Sequence, residues 1–276
     1  MRILVVEDDK DLNRQLSEAM VDAASRAAAR GVYAMTGFTF RRVPAATLAR
    51  DIVASGRLGR IYQVRASYLQ DWLADPAAPY VWRLDKSLAG SGALGDIGAH
   101  AVDLAQFITG SRLTAVSGIL ETLIPSRDGR DVTVDDLALF TGRFDSGVLA
   151  NFEATRFATG RKNALRIEVS GSDGAISFDL EEMNSLQYYD ATAPQELRGF
   201  TSIPVTEPVH PYIAAWWPPG HTLGYEHGFS NQVRDFVVGI TSGTQPTPSF
   251  ADGLQVQRVL AAIEESSANG SAWSAV

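Results

Sequence analysis

The stretch Gly90-Ser91-Gly92-Ala93-Leu94-Gly95-Asp96-Ile97-Gly98-Ala99-His100 joins a small-residue loop to the start of an apolar helix. Ala101, Leu104, Ala105 and Ile108 continue at helical spacing, which predicts a helix from Ile97 to Ile108. Asp96 and His100 stand four residues apart and so project from one helix face, one turn apart. A carboxylate beside an imidazole orients the ring and raises its basicity, which suits proton transfer near neutral pH. A plainer reading is open at the same point: Asp96 caps the helix and His100 packs beneath it.

Outward from this stretch the chain divides into two styles. Ahead of it, Ile3–Val6 is a continuous apolar run, the pattern of a strand buried on both faces. An Ala-rich helix from about Asp11 to Arg30 follows, closed by Gly31, and Val32 to Phe38 reads as a second strand. A strand–helix–strand unit of this kind is expected to be parallel and right-handed. Pro44 opens a further helix to about Ser55. From Arg60 to Tyr68 the residues alternate with period two. Leu113–Ile124, Asp136–Phe144, Gly147–Arg156, Leu165–Ser170 and Ala175–Leu180 then follow, separated by turn signals. Strands in such close succession imply an antiparallel sheet. Thr192 to Gly220 is expected to be irregular, and two helices, about Tyr225–Thr241 and Ser249–Ser266, end the chain.

The predicted fold class is therefore α/β plus α+β. A remnant β-α-β of Rossmann type occupies residues 1–42. An open-faced, mainly antiparallel sheet domain with helices on one face occupies 43–276, its terminal helix free to pack back on the N-terminal piece.

Bulk properties narrow the function. The 276 residues are 45% hydrophobic and 20% charged with a net charge of −8, which argues against nucleic-acid and anionic-membrane partners. There is no cysteine, so disulfides, thiolate metal sites and a Cys nucleophile are excluded. No apolar run approaches the ~20 residues of a membrane span. The first residues do not form a signal peptide, and the expected location is the cytoplasm.

Other candidate residues carry a functional and a plain reading side by side. Lys86 suits a phosphate or a substrate hydroxyl, or is a solvated loop lysine. Arg156-Phe157-Ala158-Thr159-Gly160-Arg161-Lys162-Asn163 sets three cations in one loop, for an anion, for sugar hydroxyls, or for solvent. Trp72, Trp82, Trp216 and Trp217 suit the wall of a sugar pocket or a core. His221, Glu226 and His227 are close in sequence, but adjacent helical residues converge poorly on one ion, and no metal site is expected. No G-x-G-x-x-G follows a strand, and no P-loop is present.

Two resemblances add to this reading. Gly37-Phe38-Thr39-Phe40-Arg41-Arg42-Val43-Pro44, Gly56-Arg57-Leu58-Gly59-Arg60-Ile61, the stretch from Gly92 to His100 with Asp103-Leu104, and Ser249-Phe250-Ala251-Asp252-Gly253-Leu254 occur in the order seen in the Gfo/Idh/MocA family of NAD(P)-dependent oxidoreductases. The likeness runs over about residues 17–267 and is strongest to dehydrogenases of inositols, sugars and anhydrosugars. It implies hydride transfer between NAD or NADP and a CH–OH group of a sugar, inositol or other polyol. By motif match His100 is the proton-transfer residue and Asp96 orients substrate and imidazole. Lys86, Trp82, Arg156, Lys162, Asn163 and Tyr225 are the expected substrate contacts. The family's glycine fingerprint has no counterpart, and Asp8 falls where its nicotinamide-side lysine is expected. Weak or absent NAD(P) binding and impaired turnover are the corresponding expectations. Residues 1–16 resemble instead the opening of a response-regulator receiver domain, in which Glu7 and Asp8 would help hold Mg²⁺, although Asp51 stands mid-helix rather than at a strand end. Homo-oligomerisation through the open sheet face is expected, and a non-catalytic oligomerising sheet is the alternative function. A receiver-like signalling protein comes behind both.

Overall fold

The computed structural model describes residues 21–276. Residues 21–29 are helical, in line with the predicted first helix; its earlier turns, the Ile3–Val6 run, Glu7 and Asp8 lie outside the described residues. Val32–Phe38 is not a strand. It crosses to the far end of the chain, where Thr36 donates its amide to Pro248 O and its hydroxyl to Ser249 O, both at 2.8 Å. Its β-favouring residues find no sheet edge, and Phe38 is used singly, against the core and the His100 ring. The second strand of the expected β-α-β unit is therefore replaced by a tether.

After the short 3₁₀ turn Thr39–Arg42 comes helix α1 (Pro44–Ala54), with Pro44 at the first turn. Strand β1 (Ile61–Leu69) follows, and then a long loop to the single helical turn Lys86–Ala89. Leu94–Gly98 is a π turn that runs into helix α2 (Ala99–Thr109). The sheet strands are β2 (Leu113–Glu121), β3 (Leu137–Phe144), β4 (Leu149–Thr155), β5 (Ala164–Gly171), β6 (Gly174–Asp179), β7 (Ser185–Asp190) and β8 (Thr201–Pro204). Helices α3 (Glu226–Ser242) and α4 (Phe250–Ala268) close the chain with a two-residue strand β9 (Ser274–Ala275).

One nine-stranded sheet results, ordered β8-β7-β6-β5-β1-β4-β3-β2-β9. Every pairing is antiparallel except β1 with β4, in which Val64 stands opposite Ala150 and Tyr68 opposite Ala154. The six strands expected between Arg60 and Leu180 are present to within a few residues. β7 and β8 extend the sheet beyond them, and β8 lies inside the stretch expected to be irregular.

Period-two alternation puts Val64, Ala66, Phe140, Phe152, Ile167, Val169, Ile176 and Phe178 on the inner face, where they form one core with α1, α2 and α4. Among the described residues no helix packs on the opposite face, which mixes polar residues with exposed Ile119, Leu139 and Leu149.

Ionic contacts fix the helices on the sheet. Arg41 forks onto Asp103 of α2 through Nε (2.8 Å) and Nη2 (2.5 Å), with both side chains buried, and lies 3.6 Å from Asp252 of α4. Asp252 also completes a capping box with Ser249, which explains the Ser249–Leu254 signature. Arg42 pairs with Asp235 of α3 at 3.2 Å. The 39–42 segment is thereby tied to α2, α3 and α4.

Candidate active site

The small residues of the opening stretch allow the loop to press against a second chain segment. Asp135 receives three amides: Gly92 N on Oδ1 and Leu94 N on Oδ2, both at 2.7 Å, and Ala93 N on its backbone oxygen at 2.9 Å. A Cβ on Gly92 would fall 1.6 Å from that backbone oxygen, so only glycine fits. From this clamp the chain enters the π turn, a one-residue expansion of the helix of the kind found at functional sites. The sequence predicts a regular helix from Ile97, and the wider turn is what differs.

Asp96 lies in the π turn and His100 in the first turn of α2. His100 is boxed by aromatic rings: Phe40 at 4.9 Å, Phe38 at 5.9 Å and Tyr68 at 6.2 Å between centroids, all edge-on. Its Nδ1 is buried without a hydrogen-bond partner among the described residues. Burial lowers the His100 pKa to about 4, against the opposing pull of the Asp96 charge, so the ring is a neutral imidazole at physiological pH. Asp96 is not a simple helix cap, because no side-chain cap bond is made at this terminus. Its Oδ2 accepts from Arg156 Nη2 at 2.8 Å.

Around this pair the sheet supplies a polar wall. Tyr68, at the end of β1, donates to Asn163 Oδ1 at 2.6 Å, and Gln70 Nε2 donates to the same oxygen at 3.2 Å. Trp72 Nε1 continues the chain to Gln70 Oε1 at 3.1 Å. Burial, then the neighbouring Tyr225 and Asp96, hold the Tyr68 phenol well above its ordinary pKa, so it is a proton donor here. Tyr225 enters from just before α3, with its ring 6.2 Å from Phe40.

The expected substrate contacts separate into groups. Asn163 and Tyr225 reach the same cluster as Asp96 and His100. Arg156 reaches it too, but at 1% exposure its guanidinium sits beneath Asp96 rather than facing an incoming molecule. Lys162 is exposed and pairs with Asp71 at 2.7 Å, while Arg161 lies 3.5 Å from Glu181. The cations of this loop are therefore matched by acids, which weakens the anion-site reading. Lys86 points toward α4, 4.0 Å from Glu264. Trp82 is exposed, with Arg83 stacked 4.6 Å over its ring. Trp216 packs on His227, and His221 turns to Pro218 O. Among the described residues no three His, Asp or Glu side chains converge as a metal site.

Sequence reasoning missed Phe40, Tyr68 and Asp135. The available signal for Tyr68 was its place in the alternation of β1, which puts it on the inner face beside α2; Phe40 and Asp135 act through contacts between distant segments. A groove of about 460 Å³ between Arg60–Tyr62, Thr109–Ser111 and Phe144–Val148 shares no residue with this cluster. Asp51, in α1, pairs with Arg50 and shows no receiver-like setting.

Comparison with known proteins places the cluster in context. A family model described as GFO/IDH/MocA C-terminal domain matches residues 47–177. Levoglucosan dehydrogenase of Pseudarthrobacter phenanthrenivorans is 39% identical over 274 residues, covering 92% of this chain and 69% of that enzyme. Among solved structures, an oxidoreductase domain protein from Kribbella flavida superposes with a TM-score of 0.91 at 61% identity, over 94% of this chain and 70% of the other. Levoglucosan dehydrogenase in complex with NADH and levoglucosan gives 0.89 at 41% identity over the same shares. The chain spans about 70% of these relatives, and the expected impairment gains no support from them. The ordered motifs, the sheet and these matches agree: the chain belongs to the Gfo/Idh/MocA family of oxidoreductases.

Proposed function

We propose that this oxidoreductase oxidises a CH–OH group of a sugar, anhydrosugar or inositol with NAD or NADP, with His100 as the proton-transfer residue and Asp96 orienting it and the substrate. One observation carries the reading: a neutral imidazole with an unpartnered buried nitrogen, one turn from a carboxylate anchored on one side.

The unpartnered Nδ1 and the polar wall fit the reacting end of a nicotinamide–polyol pair. Among the described residues none forms a glycine-rich cradle for the diphosphate, so none is named as holding it. When bound, the nicotinamide supplies a hydride acceptor. The chain's own residues do the remainder. Neutral His100 accepts the proton of the reacting hydroxyl. Asp96 stabilises the imidazolium so formed, with Oδ1 directed to a neighbouring hydroxyl. Phe38 and Phe40 exclude water from the ring, and Tyr68, Asn163 and Tyr225 present hydrogen-bonding groups to the rest of the polyol.

The remaining expectations enter as parts of the same proposal. Residues 1–42 and 43–276 are the two units, and a second copy covers the open sheet face over Ile119, Leu139 and Leu149, whose exposure favours that reading. No helix among the described residues is long and apolar enough to cross a membrane.

Calorimetric titration with NAD⁺ and NADP⁺, followed by a steady-state screen over levoglucosan, inositols and aldoses, tests the reading. Binding of one nucleotide and turnover of one polyol, abolished in His100→Ala, is expected. Nucleotide binding without turnover across the panel, or unchanged turnover in His100→Ala, overturns it. Sedimentation at micromolar concentration tests the second copy, and a monomer refutes it.

A further inference from the structure

The mechanism above leaves one buried charge without a task. Arg156, at the end of β4, is 1% exposed, yet only one of its three guanidinium nitrogens is used. Nη2 donates to Asp96 Oδ2 at 2.8 Å and to Gly92 O at 3.1 Å. Nε and Nη1 are buried with no hydrogen-bond partner among the described residues. One face of the group lies 5.3 Å from the Trp72 ring, and the backbone amide donates to Asp136 O at 3.2 Å. The Asp136 carboxylate is turned away, accepting from Leu123 N and Ile124 N. A side chain selected for packing alone would not bury two donor nitrogens unsatisfied, because each costs free energy relative to an apolar replacement of the same shape.

The geometry points to a positioning role: Arg156 holds Asp96 by one oxygen and offsets its charge, so that His100 stays neutral while Oδ1 stays free for substrate. This rests on the reading of His100 as the proton-transfer residue. Two effects follow from the contacts. Anchoring through Oδ2 and Gly92 O ties the carboxylate to the glycine loop, so its direction is set by the same clamp that fixes the π turn. Electrostatically, the Asp96 charge favours a protonated His100, and a guanidinium hydrogen-bonded to the same carboxylate is expected to oppose that pull. The groups around His100 are Asp96 from the π turn, Tyr68 from β1, and the uncharged rings of Phe38 and Phe40; Tyr225 contacts Phe40, and Arg156 contacts Asp96. No other cation among these groups balances Asp96.

The test is a pH titration of the His100 ring by NMR on the full chain, which needs neither ligand nor turnover. With four histidines in the sequence, His100→Ala assigns the signal. In Arg156→Met the midpoint is expected to rise by roughly one pH unit, whereas Arg156→Lys, which keeps the charge, stays near the wild-type value. The acid limb of kcat/KM is expected to move in parallel. A folded Arg156→Met chain with an unmoved His100 midpoint overturns the proposal. If Arg156→Met does not fold, Arg156→Gln carries the same expectation. Unfolding of both neutral variants while Arg156→Lys folds assigns the residue a structural role and also overturns it. A moved midpoint in a chain that turns over no polyol upholds the proposal and tells against the dehydrogenase reading alone.

Discussion

Gly92→Ala tests the clamp on which the site is built. Real Cβ atoms essentially never approach another heavy atom within 3.0 Å, and here one would stand 1.6 Å from Asp135 O, with Asp135 C at 2.6 Å. Both neighbours are backbone, so no side chain can swing aside. The loop must retreat by about 1.5 Å, which carries a 2.7 Å hydrogen bond beyond useful range. At stake are the three amide bonds to Asp135 and the Gly92 O contact with Arg156. All are buried, two are to a carboxylate and one is from a guanidinium, so each is worth about 1–3 kcal/mol when its partner is left unmet. Allowing partial relaxation, the loss is about 3–5 kcal/mol. Urea unfolding followed by tryptophan fluorescence reads it as a lower midpoint at unchanged slope. Gly98→Ala is the control, because its nearest neighbour is the Ala154 Cβ at 3.4 Å. A Gly92→Ala midpoint within about 0.5 kcal/mol of wild type refutes the reasoning.

Other expectations follow from buried polar contacts. Asp103→Ala leaves Arg41 buried with only Asp252 at 3.6 Å, and a loss of about 3–5 kcal/mol is expected in urea; less than about 1 refutes it. Tyr68→Phe removes the 2.6 Å bond to Asn163, which keeps Gln70, so about 1 kcal/mol is lost while the aromatic box around His100 persists. His100 has its pKa lowered from 6.5 to about 4 on folding. Between those pH values the unfolded chain therefore binds a proton that the native chain does not, and stability falls as pH falls. The fall totals at most about 3 kcal/mol and is complete below the native value. His100→Phe should flatten that part of the stability–pH curve, and an unchanged curve would count against a buried neutral ring.

The sequence disclosed most where periodicity and spacing act locally. Alternation located β1 to β6 because one face is buried, and spacing placed Asp96 and His100 on one side of one helix. Val32–Phe38 shows the limit: its residues favour strands, but a strand exists only where an edge accepts it, and here Thr36 is taken by Pro248 and Ser249. The π turn has no spacing signature that separates it from an α-turn, since it is imposed by the Asp135 clamp from forty residues away. The sequence offers Arg156 as a substrate contact in a cationic loop, and its burial beneath Asp96 is not legible there for the same reason. Its burial depends on Asp96 and Trp72, and neither is near in sequence.

The position of β1 bears on how the chain folds. β2–β3–β4 and β5–β6–β7–β8 are two runs of sequentially paired antiparallel strands, so each is more local in sequence than the contacts of β1. β1 precedes both in the chain yet lies between β4 and β5 in space, so it finds a strand partner only once one run has formed and bridges the two only when both have. Joining the sheet is therefore the step with the long loops to close, and its cost is entropic. Damage to β1 is expected to slow assembly of the halves more than formation of either one. Tyr68, at the end of that strand, forms one wall of the His100 box, so the box is complete only once β1 is in place. The site is therefore expected to be among the later parts of the molecule to form.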